Sequence, residues 1–245
     1  MILKRDFICL LRIFIDSLPE FIRNSEILFR ISMFIFKVPA SLFTFRKKYK
    51  SGIIKDLSEY YSANESFSLK RISKDTDINS LHLRIIKRYF KKYLPNSLLD
   101  AGCGSCYLLD NFRILKPSAK LVGIDYDTPI STNNKFKLIE GDILNTLKGF
   151  LENSFEFVVC THVIEHLNYP DEVVLELRRV CSKILIIICP IEKELKWGMN
   201  YHINFYSNKK YFLNFILDTK LKNKKINNYK IYQRLGDLMY VENII

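Results

Sequence analysis

The stretch Leu98-Leu99-Asp100-Ala101-Gly102-Cys103-Gly104-Ser105 puts a carboxylate and two glycines at the end of an apolar run. At a strand-to-helix junction, such glycines let a backbone approach a nucleoside-bearing ligand with no Cβ in the way. Three later segments extend the pattern: Gly123-Ile124-Asp125, Glu140-Gly141-Asp142-Ile143, and Cys160-Thr161-His162-Val163-Ile164-Glu165-His166. Asp125 follows Gly104 by 21 residues, the interval at which an acid grips ribose hydroxyls. Asp142 offers an acceptor to an adenine amino group, although both acids are also residue types that turns favour. The chain has four histidines, at 82, 162, 166 and 202. An imidazole near neutral pH can take a proton from an attacking hydroxyl, which makes His162 and His202 the candidate bases. A histidine that caps or bonds locally is the plainer alternative for each.

These residues need a scaffold that delivers strand ends to one edge. Short apolar runs at 97–100, 120–124, 136–139, 155–160 and 183–189 read as strands, and helical spacing appears at 81–94, 105–115 and 171–181. Alternating strands and helices predict an α/β fold, a doubly wound, Rossmann-like and mostly parallel sheet whose ligands sit outside the carboxyl ends of the strands. Residues 1–75 read as an apolar and basic helical appendage or lid, and 76–245 as the ligand-binding domain.

The formal net charge of +12 is uneven. Residues 1–50 hold ten Lys/Arg against four Asp/Glu, and 209–234 hold eight basic residues against Asp218. The apolar run 31–45 is about fifteen residues and contains Lys37 and Pro39, short of the ~20 a spanning helix needs. Peripheral contact of residues 1–50 with an anionic membrane is the expected alternative to a lid. Six cysteines without a secretory cleavage pattern read as reduced thiols, so the chain is expected in the cytoplasm, with the inner membrane face as a peripheral site. The Lys/Asn-rich stretch at 220–230 reads as a loop or hairpin turn.

Two signatures compete. His162-Val163-Ile164-Glu165-His166 matches the H-x-x-E-H of a zinc peptidase class, but that motif needs a stable helix and a distant third ligand, whereas this one leaves a strand directly, so no metal is expected. A dinucleotide site wants glycine three residues after Gly104, where Tyr107 stands.

The order Leu-Asp-x-Gly-Cys-Gly, Gly-Ile-Asp, Glu-Gly-Asp and Phe-x-x-Val-Val-Cys-x-His-Val-x-Glu-His-Leu, spread over about residues 80–210, resembles the class I S-adenosylmethionine-dependent methyltransferases, and most of all their small-molecule branch. The resemblance implies S-adenosylmethionine as cofactor. Asp100, Ala101, Gly102, Cys103 and Gly104 would hold its methionine part, Asp125 its ribose, Tyr126 an adenine face, and Asp142 with Ile143 the adenine edge. Cys160, Thr161 and His162 would lie beneath the sulfonium. The sequence departs from the family where Cys106 replaces a frequent third glycine, and where 126–135 is too short for the usual helix. The expected reaction is O-methylation of a small-molecule, lipid-linked or glycan acceptor. A non-catalytic scaffold and an RNA-directed enzyme are the alternatives, although the residues after the fourth strand lack the Pro-Pro-aromatic pattern of enzymes that methylate base nitrogens. The sequence leaves the oligomeric state open.

Overall fold

A computed structural model describes residues 2–36, 40–54, 76–126, 136–196, 200–219, 226 and 228–244. Four helices come first: α1 (Ile2–Ser17), α2 (Glu20–Arg23), α3 (Glu26–Phe36) and α4 (Ala40–Lys50). Then follow α5 (Ser80–Tyr93), β1 (Ser97–Ala101), α6 (Tyr107–Leu115), β2 (Lys120–Asp125), β3 (Lys137–Glu140), α7 (Ile143–Lys148), β4 (Phe155–Thr161), a 3-10 turn (Ile164–His166), α8 (Pro170–Val180), β5 (Cys181–Pro190), α9 (Lys209–Asp218), β6 (Tyr229–Arg234) and β7 (Asp237–Asn243).

The described strands form one sheet in the order β3-β2-β1-β4-β5-β7-β6. β1 pairs parallel with both β2 and β4, so strand order reverses at β1, and the crevice beyond its end is the expected ligand position. β7 is antiparallel to β5 and β6.

The apolar runs are continuous because both faces of the sheet are covered. Side chains alternate across the sheet along β4. Phe157 and Val159 join Phe90 of α5 and Phe112 of α6 in one core layer, while Val158 and Cys160 join Val173 and Leu177 of α8 and Phe212 of α9 in the other. Gly123 is fixed by packing, since a Cβ there would meet Cys103 Sγ, Leu109 and Leu138 at 2.8–2.9 Å.

The five parallel strands lie within a residue or two of the expected runs. The β6–β7 pair was not anticipated: its residues mix charge and apolarity, and its stability comes from β5 beside it. Helix α6 starts at Tyr107 rather than 105, after Cys106 in the left-handed region at φ 62°. All six cysteines are free and buried. Most of the 126–135 segment and of the 220–230 stretch lies outside the described residues.

The N-terminal helices rest on this domain through polar contacts and through Phe45 of α4, whose ring meets Tyr201 edge-on at 5.0 Å. Arg12 of α1 forms an ion pair with buried Asp237 and donates to Gly236 O (2.6 Å). Arg46 of α4 donates to Leu195 O and sits 4.7 Å over the Phe205 ring. Helix α1 is inverted in character: Cys9 is buried and Arg12 faces the domain, while Phe7, Leu10 and Phe14 are exposed. No described helix is long and apolar enough to cross a membrane.

Candidate active site

The first half of the site is the turn after β1. The amides of Gly102 and Cys103 both donate to Ile124 O (2.8 and 2.9 Å), which folds the turn against β2. Gly102 (φ +84°) and Gly104 (φ +50°) occupy the left-handed region. A Cβ at Gly104 would meet nothing within 4 Å, so the backbone there faces open space. At Gly102 a Cβ would lie 2.1 Å from Val163 Cγ2, so the residue after His162 packs directly onto this turn. Asp125 accepts the Gly104 N–H at 2.7 Å, tying the end of β2 to the glycine turn. Tyr126, the next residue, is half-buried.

Asp100 is fully buried and its Oδ1 has no hydrogen-bond partner. Burial first, and the charge on Asp125 second, push its carboxyl well above the ordinary range. Asp142 caps α7, with Oδ1 accepting the Asn145 N–H at 2.8 Å, and Ile143 behind it is buried. The cap engages one carboxylate oxygen, and an adenine amino group needs one acceptor, so the two roles are compatible.

The second half lies at the ends of β4, β5 and β7. Cys160 is buried, Thr161 half-buried, and His162 takes a left-handed conformation at φ 54°. The His162 ring is turned inward: Nδ1 is 3.3 Å from Glu165 Oε1 and Nε2 is 3.8 Å from Asp237 Oδ2. Burial holds this imidazole neutral, its pKa well below the usual value. Glu165 is fully buried, both its carboxylate oxygens lack a hydrogen-bond partner, and burial pushes its carboxyl well up.

Two further imidazoles face each other at the same edge, with the His166 and His202 rings 4.6 Å apart at 82°. His166 Nδ1 is 3.2 Å from Tyr201 O, and His202 Nδ1 is bonded to the buried Glu192 carboxylate. Burial works against ionisation of Glu192, but His202 and the Arg12 and Arg46 guanidiniums outweigh it and hold the carboxyl below its ordinary value. The loop carrying His202 is stapled to the 3-10 turn. Ile203 N and Asn204 N donate to Glu165 O (2.8 and 3.0 Å), and Asn204 Nδ2 donates to Ile164 O (3.0 Å) and Leu167 O (2.7 Å). A cavity of about 40 Å³ between α4 and this loop has His202, Phe45 and Phe205 in its wall, room for water rather than substrate.

The chain matches the family described as Methyltransferase domain over residues 99–187, which runs from within β1 to within β5 and leaves out Glu192, the His202 loop and Asp237. Over that span the chain carries a methyltransferase domain. Its fold is shared by magnesium protoporphyrin IX methyltransferase from Synechocystis, 13% identical with a TM-score of 0.52, covering 76% of this chain and 97% of that one. A putative O-methyltransferase from Nostoc punctiforme is similar too, at 9% identity and a TM-score of 0.51 over 65% of this chain and 54% of that one. In sequence, the Small RNA 2'-O-methyltransferase of Xenopus tropicalis is 27% identical over 101 residues, 34% of this chain, and the match spans 27% of that relative's length.

The residues of the methyltransferase domain fit its cofactor on two counts. Asp100 presents an unpartnered buried acceptor suited to an ammonium group, and Gly104 leaves room where the ligand would pass. Cys106 preserves the shape of the turn by adopting the left-handed conformation a glycine would take. The structure groups Asp100, Ala101, Gly102, Cys103, Gly104 and Asp125 at one turn, with Asp142 and Ile143 at the end of the adjoining β3. His162 and His202 lie at the other edge with different surroundings. Glu192 and Asp237 carry no readable motif, whereas Glu165 and His166 stand in the H-x-x-E-H string.

Proposed function

We propose that this chain moves the methyl group of S-adenosylmethionine to an oxygen of a small or lipid-linked acceptor. The observation that carries this reading is the packing of Val163 on Gly102, which makes the His166–His202 edge contiguous with the cofactor turn. When bound, the cofactor supplies an electrophilic methyl on a sulfonium, so the protein's work is alignment and exclusion of water. Asp100 and the amides of the glycine turn bind the methionine part, Asp125 the ribose, and Tyr126, Asp142 and Ile143 the adenine. Cys160 and Thr161 line the floor beneath the sulfonium. His202, oriented by Glu192, is the better placed of the two histidines to act on the acceptor hydroxyl; His162, neutral and turned toward Glu165 and Asp237, supports the turn from behind.

The inverted helix α1 supports a lipid-linked acceptor. Its polar face is spent on the domain, and Phe7, Leu10 and Phe14 at helical spacing, with Phe21 of α2 and Ile27 and Phe34 of α3, leave an apolar surface that an anionic membrane with apolar interior would cover. The N-terminal segment in this reading is both a cover for the acceptor edge and a peripheral anchor at the inner face of a membrane. A second reading, an RNA hydroxyl, is favoured by the Xenopus relative's printed activity and by the +12 charge.

Radiolabelled S-adenosylmethionine incubated with the full chain and, separately, lipid extract, soluble glycans or short RNA tests this. Label in the lipid fraction is expected. Label in RNA alone would replace the acceptor class, and a chain that labels none and binds no S-adenosylhomocysteine would be a scaffold.

A further inference from the structure

We propose that Glu165, His166 and His202 form a binding site for one divalent first-row transition ion, at the acceptor edge of the domain. One ligand atom from each of the three lies within 4.8 Å of the others. An ion with bonds of ~2.1 Å spans at most about 4.2 Å between two ligands, so binding requires the three groups to close by roughly half an ångström. Two nitrogens and a carboxylate suit Mn²⁺, Fe²⁺ or Zn²⁺ better than Ca²⁺ or Mg²⁺.

Three observations separate this cluster from an accidental grouping. Glu165 is fully buried with neither carboxylate oxygen hydrogen-bonded, a state that buried carboxylates avoid unless a cation or ligand completes them. Each histidine already has its Nδ1 engaged, His166 by the Tyr201 carbonyl and His202 by the Glu192 carboxylate. Metal-ligating histidines characteristically have one ring nitrogen held in this way, which fixes the plane of the ring. Finally, the loop that supplies His202 is bonded through its backbone to the carbonyl of Glu165 itself, so the ligands are held together by main chain rather than by flexible side chains.

This inference deepens the reading above and rests on it only for the ion's use. An acceptor hydroxyl bound to the cation has a lowered pKa. Its proton leaves to water, the oxygen–carbon bond forms as the carbon–sulfur bond breaks, and the electron pair stays on sulfur to give the thioether. His202 then acts as a ligand oriented by Glu192 and not as the base.

The test uses the full chain stripped with a chelator and dialysed, titrated with Mn²⁺ and followed by loss of the free-ion electron paramagnetic resonance signal, with Zn²⁺ as competitor. One saturable site per chain is expected, with affinity falling at least tenfold in Glu165→Gln and in His202→Asn while their unfolding midpoints stay near wild type. Asp125→Ala, at the cofactor turn, is expected to keep the Mn²⁺ affinity. The absence of saturable binding of both ions, or equal affinity in wild type and both cluster variants, overturns the site. Calorimetry of S-adenosylhomocysteine on the same stripped protein reads the cofactor site separately, so a chain that binds the nucleoside and no ion refutes this inference alone.

Discussion

The glycine turn after β1 and the proposed acceptor edge are adjacent, yet they are built in different ways. The turn after β1 is made by main chain: Gly102, Cys103 and Gly104 bond to Ile124 and Asp125, residues about one strand-helix unit away. The acceptor edge is made by side chains that meet across the whole fold. Arg12 reaches Asp237 over 225 residues, Arg46 reaches Leu195 over 149, and His166 reaches Tyr201 over 35. A shape set by local backbone geometry tolerates few residue types, whereas a set of buried polar contacts depends on charge state and on everything that packs around it.

The contrast can be broken most severely at Gly102. Substitution by Ala forces an L-residue to φ +84° and drives its Cβ into Val163. The expected loss is about 2–5 kcal/mol of stability, from left-handed strain and overpacking together. Urea denaturation reads it, and a change under 1 kcal/mol would mean that the turn and the acceptor edge are not tightly joined.

A smaller effect sharpens the other half. His82 of α5 is buried, with Nδ1 3.1 Å from Asn79 Nδ2 and Nε2 3.3 Å from Tyr232 O, and Asn79 donates in turn to Asp237. Burial lowers its pKa to about 4. Above pH 6.5 the ring is neutral in both folded and unfolded chains, so it adds no pH dependence there. Between 6.5 and 4 the unfolded chain takes up a proton that the folded one refuses, and stability falls with pH. The loss from this residue by pH 5 is about 2 kcal/mol. The urea midpoint of wild type should therefore fall more steeply from pH 7 to pH 5 than that of His82→Gln; parallel slopes would show that the ring titrates normally.

The smallest effect is expected at Cys106→Gly. Relief of the left-handed residue and loss of the buried thiol are each worth about 1 kcal/mol and nearly cancel. Stability within 1 kcal/mol of wild type and intact S-adenosylhomocysteine binding are expected, and a larger loss would make the thiol itself structural.

The same contrast explains what the sequence discloses. The run Leu98 to Gly104, Asp125 at its fixed interval and Asp142 before α7 are legible because glycine, turn and capping preferences are local properties of the chain. The parallel strands were legible for the same reason, as uninterrupted apolar runs buried on two faces. The β6–β7 pair was not, because residues such as Tyr229, Lys230 and Gln233 become a strand through β7 and β5 rather than through their own pattern. His162 shows the limit at the site: its position after β4 was readable, but the direction of its ring depends on Asp237, 75 residues away. Glu192 follows β5 as one more charged residue, and its role appears when the chain brings His202, Arg46 and Arg12 to it.

The central claim is that the turn between Asp100 and Asp125 binds an adenosyl ligand, and titration calorimetry with S-adenosylhomocysteine tests it most directly. One site per chain is expected for wild type, and Asp125→Ala is expected to weaken it by about 1–3 kcal/mol, since ribose hydroxyls lose a charged partner. No heat of binding at saturating nucleoside, or the same affinity in the Asp125 variant, would contradict the account.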